Sequence, residues 1–306
     1  MDRIENIDFC IRYLLEIEKS KLKIETGIPN DLQGKQRLLR ALMNVTEVES
    51  RANSFALPRC SNVTEGNVWE PQSLSDEFLQ AQDAELQAQL QDKGVVSLED
   101  IAASADTPLL WQGDITRLRV DAIVNAANSR MMGCWHPLHA CIDNCIHSAA
   151  GLQLRAECAE AMSGAECPPV HPEYTMGGTS YRHAFTSEAL ITEAYNLPCR
   201  HVLHTVGPII PDGVPNRKQE EQLADCYRNC LGLAEANGCR SIAFCCISTG
   251  EFHFPNRRAA EIAIATVKEY TTSYALTHSH NNALTVVFNV FKDIDYDIYR
   301  ELLAAR

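Results

Sequence analysis

No uninterrupted apolar run of about 18 residues occurs in this 306-residue chain, so a membrane-spanning helix is not expected. Basic side chains are in deficit: 27 Lys+Arg stand against 40 Asp+Glu, a net charge of -13. A general nucleic-acid binder neutralises phosphates with Lys and Arg, so nucleic acid is not an expected partner, and any phosphate ligand must be held locally. Neither a G-x-G-x-x-G fingerprint nor a Walker lysine is found, which leaves no support for a Rossmann or P-loop site. The start, MDRIENIDFC, lacks the positive region and apolar core of a secretory signal. Thirteen cysteines are abundant and odd in number, but a disulfide scaffold belongs to short secreted chains. Reduced thiols in a soluble, intracellular, cytoplasmic protein are expected. Histidine is absent before His136, and three cysteines and three histidines then crowd into residues 134–147. Chemistry belongs to the second part of the chain.

Residues 1–105 read as a helical extension. Ile11, Leu14, Leu15 and Leu22, then Leu38, Leu39, Leu42 and Met43, follow i, i+3, i+4 spacing; Phe78 to Leu90 continues it through a Gln-rich stretch closed by Gly94. Between them Asn53 to Gln72, with Pro58, Gly66 and Pro71, reads as loop. Holding no cluster of potential ligands, the segment is expected to pack on the domain that follows; the alternative is a substrate-recognition or partner surface. From about Leu109 short β-rich runs alternate with amphipathic helices, the pattern of a layered α/β domain. Strands are predicted at Val120–Val124, His201–Val206, Ser241–Ile247 and Thr285–Phe291. Helices are predicted from Asn216 to Asn237, stopped by Gly238, and from Pro255 to Tyr270.

Three constellations can carry chemistry. In Gly133-Cys134-Trp135-His136-Pro137-Leu138-His139-Ala140-Cys141, the C-x4-H-x-C spacing of Cys134, His139 and Cys141 lets one loop wrap a single ion, and thiolate with imidazole suits Zn²⁺. Three protein ligands leave a fourth position open, as in catalytic sites; His136 is the alternative imidazole. A rival deaminase signature begins at His171-Pro172-Glu173 and Pro198-Cys199, but its second cysteine should stand at Val202, and it fails there. The second constellation runs from Gly113-Asp114-Ile115-Thr116 into Val124-Asn125-Ala126-Ala127-Asn128, a strand-to-loop exit of the kind that forms crevices at a sheet's carboxyl edge. Asp114 alone reads equally as a turn or capping residue. The third is Cys246-Ile247-Ser248-Thr249-Gly250-Glu251-Phe252-His253-Phe254-Pro255, where backbone N–H groups of a strand–loop–helix turn can cradle a pyrophosphate.

Together with Ile142-Asp143-Asn144-Cys145-Ile146-His147-Ser148-Ala149-Ala150-Gly151 and His204-Thr205-Val206-Gly207-Pro208, these segments resemble the successive motifs of a macrodomain, in that family's order, over about residues 106–306. The Cys/His loop and the helical extension are similar to zinc-dependent macrodomains, a class of ADP-ribosyl hydrolases. The loop replaces the run of glycines found in commoner macrodomains. The resemblance implies a three-layer α/β/α domain with a mixed central sheet, preceded by the helical extension, with ADP-ribose lying across the sheet edge. It implies that Asp114 accepts from the adenine amine with the Ile115 backbone beside it. Asn125 and Asn128 would line the distal ribose, and Ser248, Thr249, Gly250, Glu251 and Phe252 would wrap the diphosphate. Phe288 or Phe291 is the candidate for packing on adenine.

The activity so implied is zinc-dependent hydrolysis of the bond between the distal ribose and a side chain of a mono-ADP-ribosylated protein. Cys134, His139 and Cys141 would hold the metal, and Asn128 would orient the ribose. Asp143 either positions or deprotonates the water, or serves as an N-terminal helix residue stabilised by the macrodipole. Glu251 is either a second acid/base or a shaper of the phosphate loop. The alternative is a module that binds ADP-ribose without cleaving it, its zinc stiffening the loop.

Overall fold

The computed structural model describes residues 2–18, 27–47, 74–102, 109–163, 173–176, 179–277 and 284–305. The loop expected at 53–72 and His171 lie outside the described residues, as does the side chain of Glu173. Val202, where the deaminase signature fails, is a fully buried strand residue.

Strands buried on both faces need near-continuous apolar sequence, and the chain supplies it in short runs. Six strands form one sheet in the order β2-β10-β9-β4-β8-β7. They are β2 (Leu109–Gln112), β4 (Ala122–Ala127), β7 (Ala189–Glu193), β8 (His201–Val206), β9 (Ser241–Phe244) and β10 (Thr285–Val290). All neighbours are parallel except the edge strand β7, which runs antiparallel to β8. The expected His201–Val206 strand is observed with those bounds. The others shift: Val120 precedes β4, whose pairing runs on to Ala127, and the strand from Ser241 leaves the sheet after Phe244. Two short strands flank the sheet: β1 (Val96–Ser97) pairs with β3 (Leu118–Arg119), and β5 (Glu173–Met176) with β6 (Thr179–Arg182).

Helices cover both faces of the sheet. One layer is formed by α7 (Arg217–Ala236), α8 (Asn256–Thr277) and α9 (Asp293–Ala304), which touch in that order. Asn216 and Gln219 close a reciprocal capping box on α7, and Gly238, at φ +67°, ends it where expected. The other layer is α5 (Ile142–Ala150), which packs on β4, followed by α6 (Leu152–Ser163). This is the mixed-sheet, three-layer α/β/α domain the sequence implies, with further helices ahead of it.

The extension contributes α1 (Arg3–Glu18), α2 (Leu32–Val45), α3 (Asp76–Lys93) and the single turn α4 (Leu98–Ile101). Ile7, Ile11 and Leu14 of α1 close a separate core with Leu39, Leu42 and Met43 of α2 and Phe78 and Leu86 of α3. That core also takes in Leu152 and Ala156 of α6, so the extension is sealed onto the α/β domain by apolar surface worth about 1.5–3 kcal/mol per large side chain. Interlocking goes further: β1 pairs with β3, and Val96, Leu98 and Ile101 pack on the core of the sheet.

Arg155 of α6 adds a polar stitch. Its Nη1 donates to the carbonyls of Met43 and Thr46, 2.7 Å each, at the end of α2, where helix carbonyls lack intrahelical partners. Its Nε donates to Met132 O at 3.1 Å, and the guanidinium lies 4.2 Å from the Trp135 ring centroid. Burial draws its pKa down to about 10, which leaves it cationic at neutral pH. Arg155→Met keeps the apolar stem and strands three buried carbonyls. It should lower the unfolding free energy by about 2–4 kcal/mol in urea titration, and an unchanged midpoint would remove this stitch from the account.

Candidate active site

Because β2, β10, β9, β4 and β8 all run the same way, the segments 113–116, 128–141, 207–216, 245–255 and 291–292 leave the sheet along one edge. Such a carboxyl edge is where open α/β sheets bind ligands. The side chains singled out in the sequence converge there in three groups.

The first is a buried array under the start of α5. Asn125 and His204 are register partners on β4 and β8 and face the same way. The Asn125 amide donates to Asp143 Oδ1 at 2.8 Å and lies 3.1 Å from His204 Nδ1. Asn128 Nδ2 donates to Asp143 Oδ2 at 3.0 Å and to Gly133 O at 3.0 Å, while Asn128 Oδ1 accepts from Arg130 N. Asp143 is 4% exposed, and burial raises its carboxyl to about 6 against the pull of Asn125, Arg155 and Asn128. Burial also lowers His204 to about 3 and His147 well below the ordinary range, so both imidazoles are neutral. With Nδ1 of His204 accepting from Asn125, the proton belongs on Nε2, 3.0 Å from Thr192 Oγ1. One expectation needs correcting: Asn125, wholly buried, does not line a ribose surface but holds the Asp143 carboxylate from beneath.

The second group is the Cys/His loop. Cys134, His139 and Cys141 bring one donor atom each to within 4.8 Å of one another, the one such set of three near this edge apart from the buried His147, Cys158 and His204 among the described residues. Cys134 Sγ and His139 Nδ1 lie 3.6 Å apart, against about 3.5 Å for two ligands of a tetrahedral zinc. Cys141 is the N-cap of α5 and accepts from Asn144 N at 3.4 Å, a position where the helix dipole favours thiolate. Burial nevertheless pushes its thiol up to about 12, so a cation must displace that proton on binding. These soft donors fit zinc. The far side of the imidazole is engaged too: His139 Nε2 lies 3.7 Å from Glu251 Oε1, a carboxylate–histidine pairing of the sort that orients metal-bound imidazoles. His136 lies beside His139, ring centroids 5.9 Å apart, without joining the set. Gly133, at φ +85°, is required where the loop begins, since a Cβ there would meet the His147 ring at 2.8 Å.

The third group is the loop after β9. Ser248 sits at φ +65° and His253 at +56°, a left-handed backbone that costs non-glycine residues about 1–2 kcal/mol. Phe254 N donates to Ser248 O, and Ile210 N to Phe252 O, which pins the loop at both ends. The N–H groups of Ser248, Gly250, Glu251 and Phe252 donate to no backbone carbonyl among the described residues, the property of an anion-binding nest. Gly207 lies so close that a Cβ would sit 2.0 Å from Ser248 Oγ.

At the other end of the edge, Asp114 caps the turn Ile115–Arg117. Burial alone would raise its carboxyl; bonds from Thr116 and the charge of Lys93, 3.2 Å away, outweigh it and hold the pKa low. Ile115 is buried. Phe288 is core, packed on Tyr299, whereas Phe291 is 75% exposed beside the edge, which leaves Phe291 as the aromatic available to a ligand.

Residues 124–263 match the Macro domain family. Over 310 aligned residues the chain is 42% identical to a protein-ADP-ribose hydrolase of Treponema medium, covering 99% of this chain and 100% of that one. The chain belongs to the macrodomain family. It is also 43% identical over 229 residues to a protein-ADP-ribose hydrolase of Staphylococcus aureus (strain MSSA476), covering 74% of this chain and 78% of the relative. Among solved structures, a Trypanosoma brucei macrodomain in complex with ADP-ribose superposes with a TM-score of 0.55 at 28% identity, covering 76% of this chain and 92% of that one.

Sequence reasoning missed residues of this macrodomain that work at long range: Thr192, Arg155, and Arg40 and Asn44 of α2. It held His204 only as part of a motif, without the contact to Asn125. The Asp143 array predicts a pH signature. Its carboxyl takes up a proton near pH 6 when folded and near 3.8 when unfolded, so the associated stability is fully present below pH 3.8 and lost as pH rises through 6. Measured with a chelator present, wild type should lose about 2–3 kcal/mol relative to Asp143→Ala between pH 4 and pH 7. Parallel curves for the two proteins would contradict it.

Proposed function

We propose that the protein is a zinc-dependent hydrolase that removes ADP-ribose from a mono-ADP-ribosylated protein side chain. The observation that carries this reading is the convergence, at one sheet edge, of a pinned amide nest, a buried carboxylate of raised pKa and a three-donor Cys/His loop. The names of the two curated relatives and the ADP-ribose in the trypanosomal macrodomain support it. The free thiol state of every described cysteine fits a reducing, cytoplasmic setting. No helix among the described residues is long and apolar enough to cross a membrane.

In this reading the free amides of Ser248, Gly250, Glu251 and Phe252 hold the diphosphate, with Thr249 in the same loop and without a basic side chain. Asp114 and the Ile115 backbone take the adenine, and Phe291 is the ring free to pack on it. Asn128 spends both amide protons on Asp143 and Gly133, which fixes the carboxylate, and its Oδ1, which also accepts from Arg130 N, offers its second lone pair to the distal ribose. Asp143, ionised above pH 6, draws a proton from the attacking water as the bond to the anomeric carbon breaks. Glu251 steadies His139 rather than acting as the base. Cys134, His139 and Cys141 would hold a zinc ion, which when bound would supply Lewis acidity toward a sugar or leaving-group oxygen. With three converging protein donors among the described residues, the site is of the open type, which favours an enzyme over a non-cleaving reader.

Release of free ADP-ribose from a mono-ADP-ribosylated protein tests the reading. Wild type should turn over, and Cys141→Ala or chelation should abolish it. Asp143→Asn should slow it about a hundredfold or more, and kcat/KM of wild type should fall below an acid limb near pH 6. Turnover that survives both losses of metal sinks the zinc mechanism; tight ADP-ribose binding by wild type without any release makes the protein a reader.

A further inference from the structure

The Cys/His loop has little to hold it in shape. From Asn128 to Cys141 it forms neither helix nor strand, it carries Met131, Gly133 and Leu138 at positive φ, and between Gly133 and Cys141 its one internal backbone bond is His139 N to His136 O. Its order comes from helix α2, about a hundred residues earlier in the chain. Arg40 Nη2 donates to the carbonyl of His139 at 3.0 Å. Through Nη2 and Nε the same guanidinium grips Asn144 Oδ1 at 2.7 and 3.2 Å, and Asn144 Nδ2 in turn donates to His136 O at 3.0 Å. One turn on, Asn44 Oδ1 accepts from Leu138 N at 3.0 Å, and Asn44 Nδ2 donates to Ser148 of α5. Leu138 and His139 are thus held by two side chains at i and i+4 on one face of α2, and His136 is held one step removed, through the Asn144 that Arg40 grips.

We propose that α2 is a working part of the metal loop, with Arg40 and Asn44 as positioning residues that pre-set the donors Cys134, His139 and Cys141. The proposal rests on reading that loop as a metal site. Its physical basis is preorganisation. Asn44 satisfies the amide of Leu138, whose left-handed backbone (φ +57°) is otherwise unfavourable, and Arg40 fixes the peptide that carries His139. A loop ordered before the ion arrives does not charge its ordering entropy to binding. The planar fork of Arg40 makes the three bonds together, which an ammonium cannot reproduce. On this account the N-terminal helices have a role in the site as well as in packing.

The test uses the full chain and three readouts: Zn²⁺ affinity by competition with a chromophoric chelator, hydrogen exchange at residues 136–141, and thermal melting. Arg40→Met and Asn44→Ala should each bind Zn²⁺ about tenfold or more weakly than wild type, exchange faster across the loop, and melt close to wild type. Arg40→Lys should resemble Arg40→Met and serves if the latter folds poorly. Leu39→Ala, which trims the extension's core on the same helix and leaves both loop contacts, should melt lower and keep wild-type affinity. Wild-type affinity and exchange in the Arg40 and Asn44 variants overturn the proposal. So does equal weakening by Leu39→Ala, which would reduce the effect to general loosening. If wild type binds no Zn²⁺, the metal reading fails by itself, and the exchange data still decide whether α2 orders the loop.

Discussion

A carboxylate that water barely reaches, Asp143, is the constraint around which the site is arranged. An unpaired charge in such surroundings is costly, so each oxygen must meet a donor of fixed direction. Asn125 and Asn128 supply those donors from the end of β4, and neither amide can turn over without pointing oxygen at oxygen. Asn125 is itself braced by His204, whose remaining nitrogen is satisfied by Thr192 on β7. The chain of dependence therefore runs across three adjacent strands. The register of β4 with β8, which sets Asn125 beside His204, is as much a part of the site as the residues at its surface.

The same logic applies to the Cys/His loop and the helices ahead of the α/β domain. Glycines can bring backbone amides close to a ligand because nothing projects from them; a loop that must present two thiols and an imidazole carries side chains that need aiming. Within the α/β domain Arg155, Asn128 and Asn144 bond the loop's backbone at Met132, Gly133 and His136, and α2 adds the anchorage at Leu138 and His139. Arg155 completes the connection from the opposite direction, reaching from α6 to the last carbonyls of α2 and stacking on Trp135 of the loop. Extension, loop and α/β layer share polar contacts as well as apolar cores, and treating residues 1–105 as a separate appendage underrates them.

Much of this was legible in the sequence. The β-rich run His201–Val206 is a strand with the expected bounds, and the helix expected from Asn216 to Asn237 is Arg217–Ala236 capped by those two asparagines, because its capping and Gly238 stop signals are local. The ligand set and the carboxyl-edge motifs were legible because a single segment holds each of them. What escaped was short or distant. Strands β2 and β7, Leu-Leu-Trp-Gln and Ala-Leu-Ile-Thr-Glu, have four and five residues with no clean alternation, and pairing with β10 and β8 rather than propensity makes them strands. Asn125 was assigned to the ligand from its motif, and only the register shows that it points inward. Arg40 and Asn44 lie outside the apolar spacing of Leu38, Leu39, Leu42 and Met43, and no periodicity announces partners 99 and 94 residues away.

A net charge of -13 need not oppose a diphosphate ligand, and the loop after β9 explains why. The field of scattered surface carboxylates is screened over about 8 Å at physiological ionic strength, whereas an N–H group acts at contact. What the loop must supply is geometry. Ser248 and His253 accept left-handed backbone there, and that strain persists only because the ends are tied by Phe254 N to Ser248 O and by Ile210 N to Phe252 O, with Gly207 admitting the close pass of Ser248. Replacing amides by lysines would bring charge without direction. In the proposed function, a rigid nest of neutral donors would select for the shape of a pyrophosphate and leave the acidity of the remaining surface free to vary.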